Sequence, residues 1–219
     1  MQIFENVSWS TAARCAAVAM VCLVAIGCEP RQATTIDDGR ALYSNCVPCH
    51  GEDGLGDPDI EAPAIAGLGA WYVEAQLTKF QTGLRGAHPD DLAGLRMRPL
   101  SKSIQTDEQK KWVAAYVASL PTVKFEKTIL DGDPGRGGQL YAPCAACHGA
   151  DASGSEALSA PSLNHNYDWY LVKQLEHFKS GVRGAEQGDV TGAQMAGMVA
   201  SLPDEQAMKD VVAYIQKLK

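Results

Sequence analysis

The longest apolar run in the chain is CAAVAMVCLVAIG, residues 15–27, uncharged and preceded by Arg14. It is shorter than the about 20 apolar residues that cross a bilayer. Its length and basic flank are those of a signal-peptide core. Glu29-Pro30-Arg31-Gln32 follows at once and reads as linker. Residues 1–28 are therefore expected to be an export leader and 29–36 a linker. Beyond them, apolar positions recur at helical spacing. Asp38–Asn45 predicts a short helix, and Ala70–Thr82 sets Val73, Leu77 and Phe80 on one face. Thr106-Asp107-Glu108-Gln109 is a capping-box signature. The helix it opens places Trp112, Tyr116 and Leu120 on one stripe and stops at Pro121. Asp204-Glu205 opens a matching helix with Val211, Ile215 and Leu218. Gly51–Gly69, rich in Gly, Pro and Asp, shows no strand alternation. The fold class is all-α.

These elements occur twice. Cys46 to Cys144 is a step of 98 residues, and so is His50 to His148. Without gaps, the same step pairs Tyr43 with Tyr141, Pro63 with Pro161, and Trp71-Tyr72 with Trp169-Tyr170. It also pairs Gln76-Leu77 with Gln174-Leu175, Arg85-Gly86-Ala87 with Arg183-Gly184-Ala185, and Met97 with Met195. Tandem duplication is the reading, because repeats at a fixed period mark repeated structural units. The copies span 37–121 and 135–219, joined by a turn-rich linker at 122–134 that ends in Asp131-Gly132-Asp133-Pro134. Domains this small are often helped by a covalent or metal staple.

Composition narrows the classes. With 46% hydrophobic and 21% charged residues, the chain is globular rather than disordered. A net charge of −7 and the lack of a Lys/Arg cluster argue against a nucleic-acid partner. Both copies are acidic, so the sign of charge does not tell the two ends apart.

The 7 cysteines are an odd number, which fits no complete disulfide framework. Cys15, Cys22 and Cys28 lie in the leader. Ala25-Ile26-Gly27-Cys28 resembles a bacterial lipobox, with Ala25 where Leu is usual, which makes Cys28 a candidate for lipidation. A lipid or an uncleaved anchor would tether the exported chain to a membrane, and export places it in an oxidising compartment. The other four form Cys46-Val-Pro-Cys49-His50 and Cys144-Ala-Ala-Cys147-His148. Cys-x-x-Cys-His is the attachment signature of c-type haem: two thiols one turn apart can bond two vinyl groups, and the next His faces the iron. A redox dithiol needs no His, and a zinc site would have to converge from both copies. Two covalent haem c groups are expected, with His50 and His148 as axial ligands.

Met97 and Met195 stand at the repeat spacing, each past a Gly-rich stretch and before the last helix of its copy. They are the candidate second ligands, with Met198, whose counterpart is Leu100, as the fallback. A His/Met pair closes the coordination sphere and raises the potential, which suits electron transfer. Pro63 and Pro161 each stand 13 residues after their His, where a backbone carbonyl could fix the ring. Trp71, Tyr72, Arg85, Trp169, Tyr170 and Arg183 are read either as donors to haem propionates or as helix-face core and solvated surface. His88, His165 and His177 have no repeat partner and read as packing or surface residues. Gly39 and Tyr43 against Tyr116 and Leu120 predict a close helix crossing. No paired carboxylates, Ser-His-Asp set or phosphate loop points to chemistry beyond the haem.

Together these residues resemble class I cytochromes c, and their tandem arrangement resembles the dihaem cytochrome c4-like family over about residues 37–219. The resemblance implies two domains facing each other across a pseudo-twofold interface with propionates near it. It also implies periplasmic electron transfer between a bc-type complex or dehydrogenase and a terminal oxidase or reductase. The alternative is the dihaem electron-accepting subunit of a periplasmic dehydrogenase acting on a sulfur compound or another small donor. Haem-based gas sensing would need an open sixth position.

Overall fold

The computed structural model describes residues 35–218. The expected leader at 1–28, Cys28 and most of the 29–36 linker lie outside the described residues. The first copy consists of α1 (Thr35–Tyr43), α2 (Val47–His50), α3 (Ala70–Thr82), α4 (Leu92–Ser101) and α5 (Asp107–Ser119). The second consists of α6 (Pro134–His148), α7 (Asp168–Ser180), α8 (Val190–Val199) and α9 (Glu205–Ile215). Among the described residues there is no strand, only the isolated bridges Asp57↔Ala62 and Ser155↔Ala160 in the loops after each His. No helix among them is long and apolar enough to cross a membrane.

The plan of each domain follows from one crossing. α1 packs on α5, and α6 on α9. At the contact sit Gly39 and Gly137, where an added Cβ would collide with the carbonyls of Trp112 and Asp210. Only a residue without a side chain lets the backbones approach so closely. Tyr43 and Tyr141 then pack on Tyr116 and Tyr214 with ring centroids 5.1 and 5.5 Å apart. Each of the first two tyrosines donates its hydroxyl to the carbonyl just past the His of the Cys motif, Gly51 at 2.8 Å and Gly149 at 2.9 Å. The crossing is thus bonded directly to the Cys-x-x-Cys-His turn.

Two local readings change. In α5 the fully buried positions are Val113, Ala114 and Val117, while Trp112, Tyr116 and Leu120 are half-buried. α5 packs on α1 and α3 at once, so the centre of its buried face falls between those two contacts. The sequence also gives no sign of helix around Met97 and Met195, yet both lie on helices. α4 contains Gly94 and Pro99, and α8 contains Gly192 and Gly197, all poor helix formers. What starts these helices is a side-chain cap: Asp91 accepts from Gly94 N at 2.8 Å and Asp189 from Gly192 N at 2.9 Å. Gly86 and Gly184, at φ 72° and 83°, lie against the carbonyls of Gly94 and Gly192, which accounts for the repeated Arg-Gly pair.

Candidate functional site

The first Cys motif is one helical turn, with His50 N bonded to Cys46 O at 2.9 Å. That turn brings Cys46 and Cys49 to one face and sets His50 beside them. α6 carries Cys144, Cys147 and His148 in its last turn. None of the four described cysteines is paired in a disulfide. Burial, and then the Cys49 thiol, pushes Cys46 up to about 11, and burial raises Cys144.

His50 Nδ1 lies 2.9 Å from Pro63 O, and His148 Nδ1 2.9 Å from Pro161 O. A carbonyl can only accept, so Nδ1 carries the hydrogen and Nε2 keeps its lone pair. Burial lowers the pKa of both rings, against the pull of these bonds, and keeps them neutral. A neutral, oriented imidazole is the form that ligates a metal.

One cavity is lined by both Cys motifs with His50 and His148, both prolines, Met97 and Met195. Met97 packs against the first core around Tyr43, Leu77 and Val113, and Met195 against the second around Tyr141, Leu171 and Val211. Met198 also borders the cavity but is 40% exposed. Tyr72, Arg85, Trp169, Tyr170 and Arg183 line it as well. Trp71 does not; it packs edge-on against Tyr72 at 5.6 Å.

The arginines do more than either sequence reading gives them. Arg85 Nη2 donates to Tyr170 Oη at 2.8 Å and Gln174 Oε1 at 3.2 Å, and its Nη1 to Gln76 Oε1 at 2.9 Å. Arg183 Nη2 donates to Tyr72 Oη at 3.3 Å and Gln76 Oε1 at 3.1 Å, and its Nη1 to Gln174 Oε1 at 2.6 Å. Each arginine also lies over a phenylalanine of its own domain, Phe80 or Phe178. Such reciprocity, residue to partner and partner to residue, is the mark of a twofold relation between the copies. Arg183 is only 8% exposed, so solvated surface does not describe it. Burial works against ionising Tyr72, yet the Arg183 and Arg85 charges outweigh it and lower its pKa. Lys79–Asp189 at 2.5 Å and Asn166 Nδ2 to Ala64 O at 2.9 Å also cross between the domains. Gln76 and Gln174 belong to no motif, and their repetition at the common step is the one sign of this role in the sequence.

The residues fit haem in each half: two thiols, a neutral imidazole with a free lone pair, a half-buried thioether and an apolar wall. Two buried donors on the wall, Arg85 Nε and Trp169 Nε1, have no hydrogen-bond partner among the described residues. Unpaired buried donors of this kind suit an anionic group such as a propionate.

The family model described as Cytochrome c matches residues 36–121 and again 135–219. A thiosulfate dehydrogenase electron acceptor from Stutzerimonas stutzeri (strain A1501) is 29% identical over 174 residues, 71% of this chain and 76% of its own. Cytochrome c4 from Stutzerimonas stutzeri is 27% identical over 194 residues, 82% of this chain and 87% of its own. The crystal structure of reduced recombinant cytochrome c4 from Pseudomonas stutzeri superposes with a TM-score of 0.68. It is 26% identical and covers 84% of this chain and 98% of that one.

Proposed function

The chain belongs to the cytochrome c family, with two tandem domains for two covalent haem c groups, and from that premise we propose that it is a periplasmic, membrane-tethered dihaem electron carrier. Cys46 and Cys49 would hold the first haem and Cys144 and Cys147 the second. His50 with Met97, and His148 with Met195, would be the axial pairs. The haems supply one-electron chemistry. The protein supplies closed coordination, a dry wall and a fixed relation between the two centres. The observation that carries the reading is the shared cavity, closed across the interface by the reciprocal Arg85 and Arg183 bonds.

Each domain also exposes apolar side chains that border the shared cavity: Leu100 in the first, Leu158 and Met198 in the second. Small rims of this kind suit brief redox encounters. A bc-type complex or dehydrogenase would be the donor and a terminal oxidase or reductase the acceptor, with lipid on Cys28 as the tether. A second reading, the electron-accepting subunit of a periplasmic dehydrogenase, is favoured by the 29% identity to a thiosulfate dehydrogenase electron acceptor.

The test is the spectrum of the purified two-haem protein. The expected result is a far-red sulfur-to-iron band in the oxidised form equivalent to two haems, and no carbon monoxide binding when reduced. Met97→Ala and Met195→Ala should each remove half of the band, and Met198→Ala none. Carbon monoxide binding or a high-spin haem in the unmodified protein overturns closed coordination. Copurification in a fixed ratio with a dehydrogenase selects the second reading.

A further inference from the structure

The first domain holds the start of the second domain's methionine-bearing helix, and the second domain sets a different side chain near the start of the first's. Asp189 caps α8, and the same carboxylate oxygen accepts from Lys79 of the first domain at 2.5 Å. Lys79 also reaches Thr191 Oγ1 at 2.6 Å. Asp91 caps α4 in the same way. One repeat step from Lys79 lands on His177, so the corresponding group of the second domain is an imidazole. His177 is 8% exposed and borders the cavity with Asp91, and its Nδ1 is buried with no hydrogen-bond partner among the described residues.

The charged groups facing His177 are Asp91 and Glu61 of the first domain, Lys173 one turn back on α7, and Arg85 and Arg183 at the interface. Burial disfavours the protonated ring most. Asp91 favours it, and the three cations oppose it. The balance sets His177 below the ordinary imidazole value, so the ring titrates on the acid side of neutrality.

We propose that Lys79 and His177 are the residues by which each domain positions the other's methionine helix, and that the histidine makes the first haem, but not the second, respond to pH. The inference rests on Met97 and Met195 being the iron ligands. A proton on His177 adds positive charge in the shared cavity near Asp91 of the first domain, which favours the reduced form of the first haem. By linkage, an electron on that haem draws a proton from solvent onto His177. The matching residue at the second cap is Lys79, bonded to Asp189, and not an imidazole, so the second haem has no such step.

The experiment is potentiometry of the holoprotein from about pH 8 to about pH 5, the span over which an imidazole titrates. Met97→Ala and Met195→Ala assign the two potentials. The first potential is expected to rise as pH falls, while the second stays level. His177→Gln should hold the first potential at its alkaline value, and His177→Lys at its acid value, both without a step. Lys79→His should create a step in the second. An unchanged far-red band and haem content show that each of these three variants is folded. A step that survives in His177→Gln overturns the inference, as do two level potentials in an unmodified protein with its full band. An unmodified protein without that band overturns the ligand reading, and this inference with it.

Discussion

In the second domain two buried carboxylates tie the chain before α6 to the helices behind it, and the first domain has neither. Asp168, 2% exposed, accepts from Thr128 N and Oγ1, Ile129 N and Trp169 N, all within 2.8 Å. Asp210, 1% exposed, accepts from Asp133 N and from Arg136 Nη1, both at 2.8 Å. One repeat step back, these positions are Ala70 and Trp112. The segment at 122–134, a plain linker by composition, is therefore bound to the second domain, with Ile129 packed on its core and Phe125 on Tyr167. The Cys turns, the His–Pro bonds and the glycine crossings are the same in both copies. What encloses the haem site is duplicated, and what fastens its periphery is not.

The largest expected effect tests the shared part. Gly39→Leu and Gly137→Leu each drive a side chain into the facing backbone and should cost about 3 kcal/mol in the affected domain. Thermal unfolding followed at each haem should show equal losses. A tolerated leucine in either domain would mean that the crossing is not the common frame.

Asp168→Ala tests the difference. It leaves buried donors unpaired and should cost the second domain about 2 kcal/mol, with no change at the first haem. The acid limb sharpens this prediction. Burial pushes the Asp168 carboxyl up, but the bonds from Ile129 and Thr128 outweigh burial and hold it below its usual value. A depressed acid contributes stability that is present above the unfolded value of about 3.9 and lost as pH falls through the folded one. The unmodified second domain should therefore lose stability below about pH 4, and the variant should lose less. Parallel acid curves would remove the strap from the comparison.

The smallest effect is again symmetric. Thr106 caps α5 through Gln109 N at 3.1 Å, and Asp204 caps α9 through Ala207 N at 2.8 Å. Alanine at either position should cost about 1 kcal/mol, read in the unfolding of its own domain. Unequal losses would show that tertiary packing has taken over one of the caps.

Much of this was legible because it is local or repeated. Cys46, Cys49 and His50 lie within one turn, the Thr106 box spans four residues, and the Gly39–Tyr116 crossing announces itself by recurring as Gly137–Tyr214. The helices at Met97 and Met195 were hidden because Gly94, Pro99, Gly192 and Gly197 argue against helix, and packing with an aspartate cap overrides them. Trp71 and Trp169 look alike in sequence, yet only Trp169 borders the cavity.

By itself the sequence determined two all-α halves, two Cys-x-x-Cys-His turns and a repeat that pairs Met97 with Met195. All of these rest on spacings that a helix or a covalent bond fixes. Only the tertiary structure decided that Arg85 and Arg183 clasp the opposite domain, that the linker belongs to the second half, and that Lys79 reaches the Asp189 cap of the other domain. Those contacts join residues 39 or more positions apart. Which groups meet at that range depends on how the two packed domains face each other, and no periodicity along the chain encodes that.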